Sequence, residues 1–434
     1  MMRPYPHHAC ARQYTGQRGF SLVELMVVMV IVLVMSLAIF SVISSSEGQK
    51  RTTTTTNDAN QAGNYAMYQL DKVVRAAGSG YGNLWQTAYG CQINATLTNS
   101  NSSPGQILPF PSSSTMAAPF ASLNSTVSGS YVLAPALIAY HATTGTTDTT
   151  TGSPTAQPSD ALITMSGTDG FGEFPILFTA ATATSITLST YSTVKPNDLL
   201  LVVNDTANNK ASPCMLEQVA STFSSSPSPT SAALSGAYAG SPIGTVSLTA
   251  NISSVSAVVD LGNANPTNGD MPMFQLIGVG PGVGSTSTNT GSNALYSYDL
   301  LQGGTSGATF NTSAPMADSV FEMHALYYVS SATSTTNYSW QSPQSSPYDI
   351  ATLESGTTAA QQTISTIKAI RIGLIMRSAI AEKTAVTTGT LSLFSDIGSP
   401  FTYTRTFVGS EQNYRYRTIE ATIPIRNAML LTSE

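Results

Sequence analysis

The sequence predicts an α+β protein: one long N-terminal helix, transmembrane in its first half and amphipathic in its second, packed on an antiparallel β-sheet domain with long loop insertions. Three observations carry this prediction. An apolar run from Leu25 to Ile43 is broken only by Ser36 and Ser41, close to the ~20 residues that cross a bilayer core. A helical period then returns through Ala59, Ala62, Ala66, Leu70, Val73 and Ala77, with Asn60, Asn64, Asp71 and Arg75 off that face. After Gly78 the apolar residues fall into short alternating runs instead.

The chain begins with a leader, residues 1–19, that carries Arg3, Arg12 and Arg18, two adjacent histidines, and no acid. Arginines before an apolar segment predict a cytoplasmic N-terminus and an exported remainder. No small-residue cleavage site follows the apolar run, so the segment differs from an ordinary secretory signal. A plain signal anchor explains the length and the arginines. It leaves Glu24 unexplained, the one charge between Phe20 and Ser46. A carboxylate near the start of a membrane-length helix is costly and points to a function.

The predicted helix runs from Phe20 to Ala77, about 87 Å at 1.5 Å per residue. Its transmembrane part is 20–46 and its amphipathic part 47–78, ending at Gly78. Thr52 to Thr56 interrupt it with five β-branched residues in a row, which predicts a bend or a weakened stretch. Residues 79–434 form the exported β-rich domain. Gly78 to about Ser159 reads as loop. Strands are predicted at 161–165, 185–188 and 199–203, then at 321–329, 370–376 and 418–425, where Pro424 marks an edge or a strand end. Stretches such as Ser224 to Thr230 are low-complexity loops.

Charged residues make up 9% of the chain, against ~25% in a typical soluble domain. The net charge of −6 and the absence of a basic cluster argue against a nucleic-acid partner. Of three cysteines, Cys10 belongs to the leader. Cys91 and Cys214 remain, an even number in a chain bound for an oxidising compartment. They are expected to form one disulfide closing a loop of about 120 residues, worth roughly 5 kcal/mol in loop-entropy terms. Two separate thiols are the alternative, because sequence does not show proximity.

No catalytic constellation is legible, and no cofactor or metal site is predicted. Gly78-Ser79-Gly80-Tyr81-Gly82 has no strand before it and no helix pattern after it, so it reads as a turn rather than a nucleotide loop. The segment Gly278 to Gly284 is equally weak. His141 and His324 have no metal-spaced partner, and His324, in an alternating strand, reads as structural. Asp260, Asn263, Asn265 and Asp270 are oxygen-rich but lack the spacing of an EF-hand loop; an Asn/Gly turn is the favoured reading.

Arg18-Gly19-Phe20-Ser21-Leu22-Val23-Glu24-Leu25, followed by the apolar run, resembles the processing site of type IV prepilins. The resemblance implies cleavage between Gly19 and Phe20 by a prepilin peptidase, N-methylation of Phe20, and retention of the apolar segment. Glu24 is then the fifth residue of the mature chain. A buried carboxylate needs an opposite charge or donors. Cleavage creates one free amine per subunit, so Glu24 of one subunit can pair with the Phe20 amine of its neighbour and favour one axial register. Reaching back to the interface is the other option for Glu24.

Two further segments resemble minor pilins of the PilW type: Tyr68 to Gly78, and a C-terminal part comprising Ile367 to Ser378 and Tyr414 to Asn427. The Gly90-Cys91 pair comes later than is usual there, and residues 95–320 carry no recognised motif. The family implies a pilin-like fold, its sheet enlarged here by insertions. It implies a structural rather than enzymatic role: priming type IV pilus assembly and sitting at or near the tip. Expected partners are prepilin peptidase, other minor pilins, the major pilin and a tip adhesin. The expected location is the bacterial inner membrane, single-pass, and then the extracellular pilus. A type II secretion minor pseudopilin and a pilus-borne adhesive binding module are the competing readings.

Overall fold

The computed structural model describes residues 19–98, 104–108, 116–123, 131–144, 158–168, 174–204, 213–225, 230–238, 248–251, 257–265, 270–281, 293–301, 313–331 and 334–429. Most of the leader, with Cys10, lies outside them, as do residues 226–229 of the predicted Ser/Pro loop and 266–269 of the oxygen-rich segment. The chain divides into two compact units, one ending at Thr55 and the other beginning at Thr56.

Helix α1 spans Leu22–Ala76. Its residues up to Thr55 bury no side chain. The large apolar residues of this half are exposed, from 48% at Ile31 to 75% at Leu22 and Leu37. Valine and isoleucine dominate the half, and they are mediocre helix formers in water. In lipid the backbone must satisfy its own hydrogen bonds, and a helix does so.

Thr52 to Thr56, where a bend or a weakened stretch was expected, are helical and lie within α1. The Thr53 and Thr55 hydroxyls donate to the carbonyls of Gln49 and Arg51, each at 3.0 Å. These bonds satisfy the hydroxyls within the helix, in a pattern that slightly destabilises helices and often bends them.

From Thr56 onward α1 belongs to the second unit. There it buries Ala59, Gly63, Ala66, Met67, Leu70, Val73 and Val74, close to the face read from the period. The residues are small where the sheet comes near. A Cβ on Gly63 would lie 2.4 Å from Ile419 Cδ1 and 3.0 Å from Met376 Cγ, so the absent side chain sets the approach of helix to sheet. The helix stops as expected at Gly78, whose φ of 79° suits glycine.

Three main sheets follow. The C-terminal sheet has the order β15 (Ser334–Gln341), β14 (Val320–Ser331), β16 (Ile367–Arg377), β19 (Tyr416–Pro424), all antiparallel. Pro424 closes an edge strand, where its missing N–H costs no ladder bond. Val320, Met323, Ala325, Tyr327 and Val329 of β14 join the core that contains Leu70, Val73 and Val74 of α1. Phe321 and Leu326 of β14 join a second cluster, with Phe394 and Phe407, on the opposite face. That face is covered by a hairpin of β17 (Thr390–Leu393) and β18 (Tyr403–Thr406).

The central sequence does not enlarge this sheet but builds others. A five-stranded sheet runs β13 (Ala314–Asp318), β12 (Asn293–Asp299), β11 (Met273–Pro281), β4 (Pro158–Ser166), β3 (Ala136–Thr144). An eight-stranded sheet runs β2 (Pro104–Leu108), β1 (Ile93–Thr98), β8 (Cys214–Gln218), β7 (Asp198–Val203), β10 (Ala257–Asn263), β5 (Ile176–Ala181), β6 (Ser185–Leu188), β9 (Ala232–Ala233). Strands β1, β2 and β3 occupy the stretch read as loop. The continuous apolar run of β7 follows from two-sided burial: Leu199, Leu201 and Val203 enter the main core, while Leu200 and Val202 enter a separate one with Phe178 and Ile186. Among the described strands, β1 and β8 make the one parallel pair.

Candidate assembly site

Gly19 and Phe20 are exposed and non-helical immediately before α1. A peptidase requires that state of a scissile bond, because a cleavable backbone must leave regular structure. Leu25 N–H bonds to Ser21 C=O at 3.1 Å, closing the first turn. Glu24 lies in that turn, where the free N–H groups and the helix dipole favour a carboxylate. Its side chain is exposed, and among the described residues it forms no ion pair. Phe20 is 81% exposed. The exposed apolar surface that follows is far beyond what soluble monomers show and requires lipid or other helices around it.

The two segments that resemble minor pilins meet in the second unit. At the end of α1, Arg75 Nε bonds both carboxylate oxygens of Asp71, at 2.8 and 2.7 Å. Just past the helix end the Asn427 side-chain N–H₂ donates to Ala77 C=O at 3.2 Å, holding the exit of α1 from the far end of the chain. Gly78 N–H reaches Met165 C=O at 2.8 Å. Lys368 at the start of β16 donates to Ala428 C=O at 2.7 Å, and its burial lowers the ammonium pKa. Helix end, β16 and closing segment are thus pinned by polar contacts as well as by the core.

The disulfide expected between Cys91 and Cys214 is present, with Cα atoms 5.7 Å apart and a sequence separation of 123. Both residues are buried. It stands at the parallel join of β1 and β8, where Cys214 N–H bonds Gln92 C=O at 2.9 Å. The crosslink therefore fastens the segment after α1 to the eight-stranded sheet.

The glycine-rich segment after α1 is a turn, as read. Tyr81 anchors it by donating to Met165 C=O at 2.8 Å. The oxygen-rich segment is tied to the start of β7 and to itself: Asn263 Nδ2 donates to Pro196 C=O and to Asp198 Oδ1, and Asn265 N–H bonds Asn263 Oδ1.

One juxtaposition was missed. His141 on β3 and His324 on β14 lie with Asp160 of β4 in one cluster, their ring and carboxylate donor atoms within 4.8 Å of one another. Sequence spacing cannot show it, since three strands of two sheets bring the residues together. Burial raises the Asp160 carboxyl, against the opposing pull of His324 and of the His141 and Ala325 N–H groups. Beside it lies a chain of buried charges: Arg405 bonds Glu322 and Glu411, each at 2.7 Å. Burial works against the Arg405 charge, but the two carboxylates outweigh it and raise its pKa.

A family model described as type IV pilus-assembly protein W matches residues 284–427. A model of the prokaryotic N-terminal methylation motif matches residues 14–43. No curated protein and no solved structure matches the chain. The matched segments contain Gly19, Phe20 and Glu24 at one end and β14, β16 and β19 at the other. Residues 284–427 are thus similar to type IV pilus-assembly protein W, and residues 14–43 to the prokaryotic N-terminal methylation motif.

Proposed function

We propose that this chain is a PilW-type pilin that is cut between Gly19 and Phe20, methylated at Phe20, and assembled by pairing Glu24 with the Phe20 amine of a neighbouring subunit. In this reading it primes type IV pili and stays at or near the tip with other minor pilins. Before assembly it waits in the inner membrane with its N-terminus cytoplasmic. Prepilin peptidase, other minor pilins, the major pilin and a tip adhesin are its partners.

One observation carries the proposal: Glu24 stands on the first turn of α1 as the one charge between Phe20 and Ser46, in a stretch whose large apolar side chains are exposed. Such a group is tolerable in hydrocarbon only with a partner, and a free amine four residues earlier in a staggered neighbour supplies one. The matched family description is of a pilus-assembly protein, which favours the pilus over a type II secretion system.

Two substitutions test the two steps separately. Gly19→Ala should leave an uncut precursor, seen as a heavier band on a gel; normal processing would refute the assigned bond. Glu24→Ala should be processed but missing from sheared surface filaments, and wild-type recovery there would sink the pairing role. For the priming role, cells lacking the chain should make far fewer filaments. An unchanged filament number would show that it does not initiate them.

A further inference from the structure

We propose that His141, Asp160 and His324 bind a divalent cation of the zinc class, at the junction of the five-stranded and C-terminal sheets. The ligand set is two imidazoles and one carboxylate, which suits zinc and its transition-metal neighbours rather than calcium or magnesium.

The donors are held in place by the backbone. The β3–β4 ladder shifts register between Ala139 and Thr143, and His141 within that shift takes a φ of 50°. A bulge of this kind re-aims a side chain. His141 N–H bonds Asp160 Oδ1 at 2.9 Å, and Ala325 N–H from β14 bonds Oδ2 at 2.9 Å. Each carboxylate oxygen still has a lone pair to offer. The imidazoles are clamped by stacking, His141 on Tyr140 and His324 on Tyr403, with centroids 3.7 Å apart in each case.

Spacing separates an ion site from a simple ion pair. His324 Nδ1 lies 3.9 Å from Asp160 Oδ2, too far for a hydrogen bond. Two donors that each sit ~2.1 Å from a shared zinc ion are about 3.4 Å apart at the tetrahedral angle and about 4.2 Å at most. The observed gap falls within that range. The widest donor spacing in the cluster, up to 4.8 Å, reaches the tetrahedral separation when the two donors together close by about 1.4 Å.

The far side of His324 has the support that metal-bound imidazoles recurrently show, a carboxylate behind the ring. Its Nε2 makes no hydrogen bond and faces Glu322 Oε2 at 3.5 Å. Glu322 is in turn fixed by Tyr403 O–H at 2.9 Å and Arg405 Nε at 2.7 Å. His324 is only 4% exposed.

Charge points the same way. Asp160, Glu322 and Glu411 are all buried. Arg405 pairs with the two glutamates, and Arg377 adds positive charge near Glu411. Arg405 directs its printed bonds to Glu322, Glu411 and the Thr406 C=O, so a bound cation would be the charge partner of Asp160. Three protein ligands leave a fourth coordination position, on the side of half-buried His141.

The test uses the full chain in detergent, without an affinity tag and with His7 and His8 replaced by alanine so that the leader contributes no imidazole. After stripping with chelator and dialysis against zinc, elemental analysis should give one zinc per chain. Cobalt in its place should give the visible absorption of a tetrahedral site. His141→Asn keeps the backbone N–H to Asp160 and tolerates the left-handed backbone; it should weaken zinc binding at least about tenfold, with the circular-dichroism spectrum unchanged. Asp160→Asn should weaken it further. A folded wild-type chain that takes up no zinc overturns the proposal, whatever the variants do. So does zinc binding that His141→Asn leaves intact, or uptake of calcium in preference to zinc.

Discussion

The two halves of α1 share one backbone geometry and differ in what surrounds them. Up to Thr55 the helix buries nothing, although its side chains are the most apolar in the chain. From Thr56 it buries a stripe of alanine, glycine and a few larger residues. The apolar half is apolar all round because its surroundings are to be apolar all round. The second half has one protein face, and there close approach matters more than residue size, as Gly63 against Ile419 and Met376 shows. Helical structure in the first half is enforced by solvent, and in the second by packing.

The contrast can be broken most forcefully by weakening the folded unit alone. Cys91→Ser removes a crosslink spanning 123 positions and should lower unfolding stability by up to about 5 kcal/mol. Membrane insertion should be unaffected. Denaturant unfolding and membrane fractionation read the two effects, and loss of insertion would mean that the halves are not separable. Next in size is a matched pair of helix substitutions. Leu70→Ala, in the core, should cost about 2–5 kcal/mol. Leu33→Ala, in the exposed half, should change the same unfolding transition by less than ~0.5 kcal/mol. Equal costs would erase the distinction.

The smallest effect sharpens the comparison through pH. Asp299, at the end of β12, is lifted to about 6 by burial, partly offset by the Leu301 N–H. Its folded pKa exceeds its unfolded one, so its contribution is fully present below the ordinary aspartate range near pH 4 and is lost as pH rises through about 6. Tyr238 and Tyr298 lie near it and are raised by burial and by its charge. Asp299→Asn should therefore stabilise the unit at pH 7 by ~2 kcal/mol at most, since the residue is only half-buried, and have no effect at pH 4. A gain of equal size at both pH values would assign it to packing.

Sequence made the ends of the molecule legible and left the middle obscure, for physical reasons. The apolar run, Glu24, and the alternation in β14, β16 and β19 are local patterns. The C-terminal strands have one face on α1 and the other on a hairpin, so their pattern survives. Strand β3 was missed because Ala136–Thr144 is buried on both sides through much of its length and interrupted by a register shift at His141. Strand β7 showed as an apolar run, but its two separate cores could not be read from it. The disulfide was inferable by parity; its place at a parallel strand join was not. The histidine cluster is invisible because 183 positions separate its two imidazoles, and only the meeting of two sheets closes that gap.

The threonine stretch of α1 has one more consequence. Thr53 and Thr55 direct their hydroxyls to carbonyls one turn back, so these two hydroxyls are satisfied within the helix. If the chain is assembled as proposed, that portion passes from lipid headgroups through water into protein. The two hydroxyl bonds would travel with the helix and need not be exchanged at any of those borders.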